Sequence, residues 1–263
     1  MSQSHSNHPF HLVNYSPWPL LVALCLMSLL ASTLQWMHNQ MNLIMIMSLI
    51  SLLLCSFQWW RDMSRESTLQ GLHTYKVFLN MKWGMILFII SEILFFFSFF
   101  WTFFHSSLSP NIEIGSQWPP MYISSFNPFK IPLLNTLILI SSGISVTWSH
   151  HSIMNNNLSQ AITSLMITIL LGLYFTYFQA IEYQKASFSM ADSIYGSSLF
   201  LTTGFHGIHV IIGTSFLTCC LIRLNLNHFS SNHHFGFEAA AWYWHFVDVV
   251  WLFLFIFMYW WAN

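Results

Sequence analysis

From Trp83 to Phe104 a single ionisable side chain, Glu92, interrupts a run otherwise built of Phe, Ile, Leu, Met, Trp and a few small residues. About 20 apolar residues in helical form cross a hydrocarbon core. Six more stretches of this kind lie along the chain: near Trp18 to Leu34, Met41 to Trp59, about Pro132 to Trp148, Leu158 to Ile181, Gly196 to Leu221 and Phe237 to Trp261. Only 6% of the 263 residues are charged, against about 25% in a soluble domain, so a solvated surface cannot be built. Barrel strands are short and alternating, whereas these runs are long and continuous. The expected fold is all-α, a polytopic membrane protein with seven transmembrane helices in one domain over residues 1–263.

Charge places the ends. The stretch 60–82, read as a polar loop, carries Arg61, Arg65, Lys76 and Lys82, and Arg223 falls on the same side in a seven-span layout; Lys130 and Lys185 fall on the other. The more basic side is the side of insertion, which puts the N-terminus inside and the C-terminus outside. The same loop separates spans one and two (about 1–60) from the other five (about 80–263). A second polar loop covers 105–131. A net charge of −1 gives no basic field for nucleic acid. Cys25, Cys55, Cys219 and Cys220 lie in apolar stretches without metal spacing. The first residues, with His5, His8 and His11, lack the basic start of a cleavable leader, so insertion where the chain is made is expected. Trp59-Trp60, Trp118 and Trp260-Trp261 read as interface anchors.

Glu92 lies ten residues beyond Lys82, about 15 Å at 1.5 Å per residue, near the middle of a core ~30 Å thick. A carboxylate there is neutral or paired. It is either a proton-handling group or a structural acid hydrogen-bonded to a neighbouring helix. His206 and His209 share a helix face, as do His245 and Asp248; with Glu238 they make five metal-capable side chains on the last two spans. A polar seam between helices, with Gly204, Gly207 and Gly213 permitting close approach, is favoured over a metal or haem site. His150-His151 and His233-His234 emerge on one face, where contacts to water, headgroups or backbone are favoured over metal. Arg61, Arg65, His73 and Arg223 suit anionic lipid phosphate or simple snorkelling, and Arg65 with Glu66 reads as a lipid contact or an ordinary ion pair.

Several motifs carry a resemblance: Ser16-Pro17-Trp18-Pro19, Gln58-Trp59-Trp60-Arg61-Asp62, Arg65-Glu66-Ser67-Thr68, Gly84 to Glu92, Phe103-Phe104-His105-Ser106-Ser107-Leu108, Trp118-Pro119-Pro120, Pro132-Leu133-Leu134-Asn135-Thr136, Thr203 to Gly213 and Ser231 to Trp261. Together they resemble subunit III of mitochondrial cytochrome c oxidase along nearly the whole chain. That resemblance implies seven helices split two plus five, with phospholipids filling a cleft between the bundles. It implies a non-catalytic core subunit of the respiratory complex that reduces oxygen with electrons from cytochrome c and pumps protons. Subunits I and II would carry the haems and coppers, leaving no redox metal and no catalytic residue here. Accessory subunits, membrane phospholipids and a respiratory supercomplex complete the implied partners, in the mitochondrial inner membrane with the N-terminus in the matrix and the C-terminus in the intermembrane space. Glu92 matches a carboxylate associated with proton pumping and turnover stability. Trp60, Arg65, Glu66, His73 and Arg223 match lipid-cleft positions, while Leu226 replaces a lysine of vertebrate relatives. His206, His209, Glu238, His245 and Asp248 are left as the polar seam. The rivals are a membrane metalloenzyme on His206, His209, His245 and Asp248, and a transporter coupled through Glu92 and Glu238, for which no repeated halves are visible.

Overall fold

The computed structural model describes residues 10–39 and 42–262. Its seven long helices are α1 (Trp18–Asn39), α2 (Leu43–Thr68), α3 (Tyr75–Leu108), α4 (Ile131–Met154), α5 (Leu158–Gln184), α6 (Ile194–Asn225) and α7 (Phe235–Leu254), the last continued by a π-helical segment, Phe255–Trp261. Each is long and apolar enough to cross a membrane, and no strand occurs among the described residues. The fold is therefore all-α and multi-pass. Met41, the expected start of the second apolar stretch, lies outside the described residues, as do Gln40, His5 and His8.

Helix ends follow local chemistry. Asn157 and Ser193 accept hydrogen bonds from backbone N–H groups of the first turns of α5 and α6, relieving donors that a helix start leaves unpaired. Asn156 and Asn227 adopt left-handed conformations just past α4 and α6, with φ of 56° and 55°, a role asparagine fills second only to glycine.

The helices run further than hydropathy alone suggests. The stretch 60–82 is not a loop: α2 continues through its charges to Thr68, and α3 starts at Tyr75. Arg, Asp and Glu disfavour hydrocarbon but do not break a helix; the break comes at Gly71, whose φ is +65°. Likewise α4 runs on through His150 and His151 to Met154, and Trp59 and Trp60 sit within α2.

The chain divides into two compact units, Met1–Met81 and Lys82–Asn263. In the first, α1 pairs with α2. The small hydroxyls Ser32 and Ser48 meet at 3.0 Å, and Trp18 Nε1 donates to Asp62 Oδ2 at 2.7 Å. Most of the apolar side chains of this pair face outward, as side chains facing lipid or a partner do.

In the second unit α4, α5, α6 and α7 pack together. Hydrogen bonds tie the bundle across helices. Trp244 Nε1 donates to Ser142 Oγ at 2.9 Å, Trp251 Nε1 to Thr136 Oγ1 at 3.0 Å, and Tyr183 to Thr203 at 2.7 Å. Between helices in lipid such bonds matter because apolar side chains gain little from leaving hydrocarbon. The α3 residues from Lys82 onward join the bundle through rings: Phe95 against Phe205, Phe96 against Phe246, Phe104 against Phe257.

Close approach falls on different glycines from those expected. Around Gly204 and Gly207 there is open space. Gly213 does sit against Trp244, and Gly172 and Gly143 act in the same way: a Cβ on Gly172 would lie 2.7 Å from Trp244, and one on Gly143 2.9 Å from Asp248 Oδ2.

Candidate functional site

Glu92 faces α6. Its Oε2 lies 2.9 Å from His209 Nε2, and His209 Nδ1 lies 2.6 Å from the Phe205 carbonyl. A carbonyl only accepts, so Nδ1 carries a hydrogen. Glu92 and His209 thus form a carboxyl–imidazole pair between α3 and α6. They line a groove of about 480 Å³ whose other walls, among them Met85, Phe88, Phe205 and Tyr243, are almost wholly apolar. Walls of this kind disfavour an isolated charge, so a carboxyl there is held against a partner.

The five residues of the expected seam are distributed over several places. His206 is buried and has a different partner from His209, its Nε2 donating to the Val247 carbonyl at 3.1 Å. Its ring packs on Phe175 and Trp251. Asp248 sits in the notch at Gly143, 3.9 Å from a half-exposed His245. Glu238, in the first turn of α7, pairs with Lys82 Nζ at 2.6 Å and lies 3.5 Å from His234 Nε2. An acidic group is favoured at a helix start. His206, His209, His245 and Asp248 do not belong to any of the converging ligand groups found among the described residues.

In the first unit, a groove of about 400 Å³ is lined by His11, Trp59, Asp62, Arg65, Glu66 and Gln70 among others. Arg65 does not pair with its neighbour Glu66. Consecutive helical residues point about 100° apart, so Arg65 reaches Asp62 at 3.8 Å while the buried Glu66 meets His11 at 3.4 Å. Asp62 also takes Arg61 at 2.9 Å. His73 stacks edge-on with His11, ring centroids 5.1 Å apart, and Trp60 is exposed. In the second unit Arg223 lies over Phe229, 4.6 Å from the ring centroid, and a Cβ on Gly236 would come within 2.6 Å of its Nη1.

A family model for cytochrome c oxidase subunit III matches residues 8–263. The chain is 64% identical to the cytochrome c oxidase subunit 3 of Drosophila melanogaster over 260 residues, 99% of each chain. It is 60% identical to that of Locusta migratoria over 264 residues, the whole of both chains, and 59% identical to that of Heterololigo bleekeri over 256 residues, 97% of this chain and 99% of the other. The chain belongs to the cytochrome c oxidase subunit III family. It is thus a multi-pass membrane subunit of an oxidoreductase complex.

Two features of this subunit III chain escape sequence reading. Glu182 is almost fully buried in α5, with Tyr259 donating to its Oε2 at 3.4 Å. Its position, one residue past the apolar run ending at Ile181, mimics a loop acid. His11 closes over Glu66 although 55 positions apart in the chain, and no periodicity signals a contact between an extended segment and a helix.

Proposed function

We propose that this chain is the non-catalytic core subunit III of the respiratory oxidase in the mitochondrial inner membrane. There the complex passes electrons from cytochrome c to oxygen and pumps protons. The chain stabilises subunit I, stands with subunit II and accessory subunits, and leaves haem and copper to those partners. Its N-terminus faces the matrix and its C-terminus the intermembrane space. Five of its seven basic residues fall on the N-terminal side, in keeping with insertion from there.

Two roles belong to its own side chains. Glu92 supports sustained proton uptake, and Trp60, Arg65, Glu66, His73 and Arg223 hold structural phospholipid. The single observation that carries the first role is the 2.9 Å contact of Glu92 with His209 in an apolar groove. A carboxyl in contact with an imidazole relays a proton, one partner taking it up as the other releases it, so that no lasting net charge is left in the groove. The polar groove around Arg65 and Glu66 supports the second role, since a phosphate accepts from guanidinium and a headgroup ammonium or hydroxyl donates to carboxylate.

The deciding experiment is Glu92→Gln in the assembled oxidase, with activity followed over many turnovers. Assembly is expected to be unchanged and the active lifetime shortened. A variant that turns over as long as the parent rejects the proton role.

A further inference from the structure

At the end of the second unit where α7 begins, three ligand atoms converge that the oxidase role does not use. His150 Nε2 on α4 lies 3.3 Å from His234 Nε2 at the cap of α7, and His234 Nε2 lies 3.5 Å from Glu238 Oε1. The three atoms all fall within 4.8 Å of one another. We propose that His150, His234 and Glu238 form a binding site for one zinc-class divalent cation.

The orientation of His234 makes the case. Its Nδ1 lies 2.9 Å from the Ser230 carbonyl, which can only accept. The hydrogen of the neutral ring therefore sits on Nδ1, and Nε2 turns a lone pair toward His150 and Glu238. A ring nitrogen fixed by a backbone carbonyl at its other nitrogen is the arrangement found in histidine metal ligands. That lone pair is met by a hydrogen from His150 Nε2 at 3.3 Å in the metal-free state, and a cation between the three ligand atoms would replace that hydrogen.

Spacing selects the ion. A tetrahedral centre with ligands at roughly 2.0–2.1 Å holds its donor atoms about 3.3–3.4 Å apart. Two of the three edges here measure 3.3 and 3.5 Å, and a rotation of the Glu238 side chain closes the third. Two imidazoles and one carboxylate suit zinc over magnesium or calcium, which prefer all-oxygen shells. The fourth position is left for water.

Lys82 shapes the site and weakens it. Its Nζ holds Glu238 Oε2 at 2.6 Å, which leaves Oε1 for the histidines but places a positive charge beside the ion. The cation site does not depend on the proton role of Glu92.

The test uses the intact oxidase, stripped with chelator, re-equilibrated with micromolar zinc and desalted, with zinc counted by elemental mass spectrometry. The parent is expected to keep one more zinc per complex than His150→Gln. Lys82→Gln is expected to keep that zinc at roughly tenfold lower free concentration, because a neighbouring charge is removed. Equal zinc in parent and His150→Gln overturns the proposal, as an adventitious ion only. If the variants do not assemble, zinc-edge anomalous diffraction from the parent decides: a peak among the three ligand atoms supports the site, and its absence from that position at stoichiometric zinc overturns it.

Discussion

Trp244 occupies the space that a side chain on Gly213 would need: a Cβ there would come within 2.8 Å of the indole Cε3. Gly172 on α5 borders the same indole, and a Cβ on it would also clash with Thr214 Cγ2. The indole cannot retreat freely, because Nε1 is bound to Ser142 and the ring is fully buried. Gly172→Ala is therefore expected to destabilise the bundle by about 1–3 kcal/mol, as overpacked cores do. Gly204→Ala, with open space around it, is expected to leave the bundle's own stability unchanged. Thermal unfolding of the two variants in detergent makes the comparison, and equal melting temperatures would contradict the packing account.

A second tie is the bond from Trp251 to Thr136, buried between α7 and α4. Trp251→Phe keeps an aromatic ring beside Phe175 and His206 but removes the donor. Hydrogen bonds between helices in lipid contribute roughly 0.6–1.7 kcal/mol, and a loss in that range is expected. Adding Thr136→Val to Trp251→Phe should cost less than the two single changes together, because the bond is already gone. Strict additivity would show that the two residues do not act as a pair.

These contacts mark where sequence legibility stops. The seven helices were readable because about 20 apolar residues in a row have one use in lipid. The residues that share a helix face were also readable, yet shared face does not fix the partner. His206 and His209 stand three apart, but one bonds to the α7 backbone and the other to a carboxylate on α3. Helix rotation, set by ring packing such as Phe95 on Phe205, decides that. In the same way Gly213 and Gly207 look equivalent in sequence, and only the position of Trp244 separates them. Helix ends are less legible, because charge marks the edge of hydrocarbon and not the end of a helix: α2 runs through its charges to Thr68, and the chain breaks at Gly71.

The contact between Glu92 and His209 predicts a difference between isosteres. In Glu92→Gln the amide N–H can still donate to His209 Nε2, so the contact survives. In Glu92→Leu the ring nitrogen loses its only donor in an apolar groove, at roughly 1–2 kcal/mol. The Leu variant is expected to melt lower than the Gln variant, while both lose the exchangeable proton. Infrared difference spectra provide the second check: a carboxyl or imidazolium band present in the parent should vanish in both. Indistinguishable melting and an unchanged spectrum would remove Glu92 from the pair.

Arg65 gives the cleanest probe of phospholipid binding because Asp62 does not depend on it. Asp62 already accepts from Trp18 at 2.7 Å and from Arg61 at 2.9 Å, while Arg65 stands 3.8 Å away with more than half of its side chain exposed. So exposed a pair contributes little, and Arg65→Gln should leave the α1–α2 pairing intact. A phosphate at that guanidinium would lose its charged hydrogen bonds, which are about twice as strong as neutral ones. The purified variant oxidase is therefore expected to assemble normally yet release phospholipid at lower detergent concentration, as read by lipid mass spectrometry. Trp18→Phe, which removes a donor from Asp62 itself, should instead loosen α1 and expose the preceding segment to protease. If Arg65→Gln retains the parent's lipids through the same wash, the guanidinium is a snorkelling surface charge and the headgroup is held elsewhere.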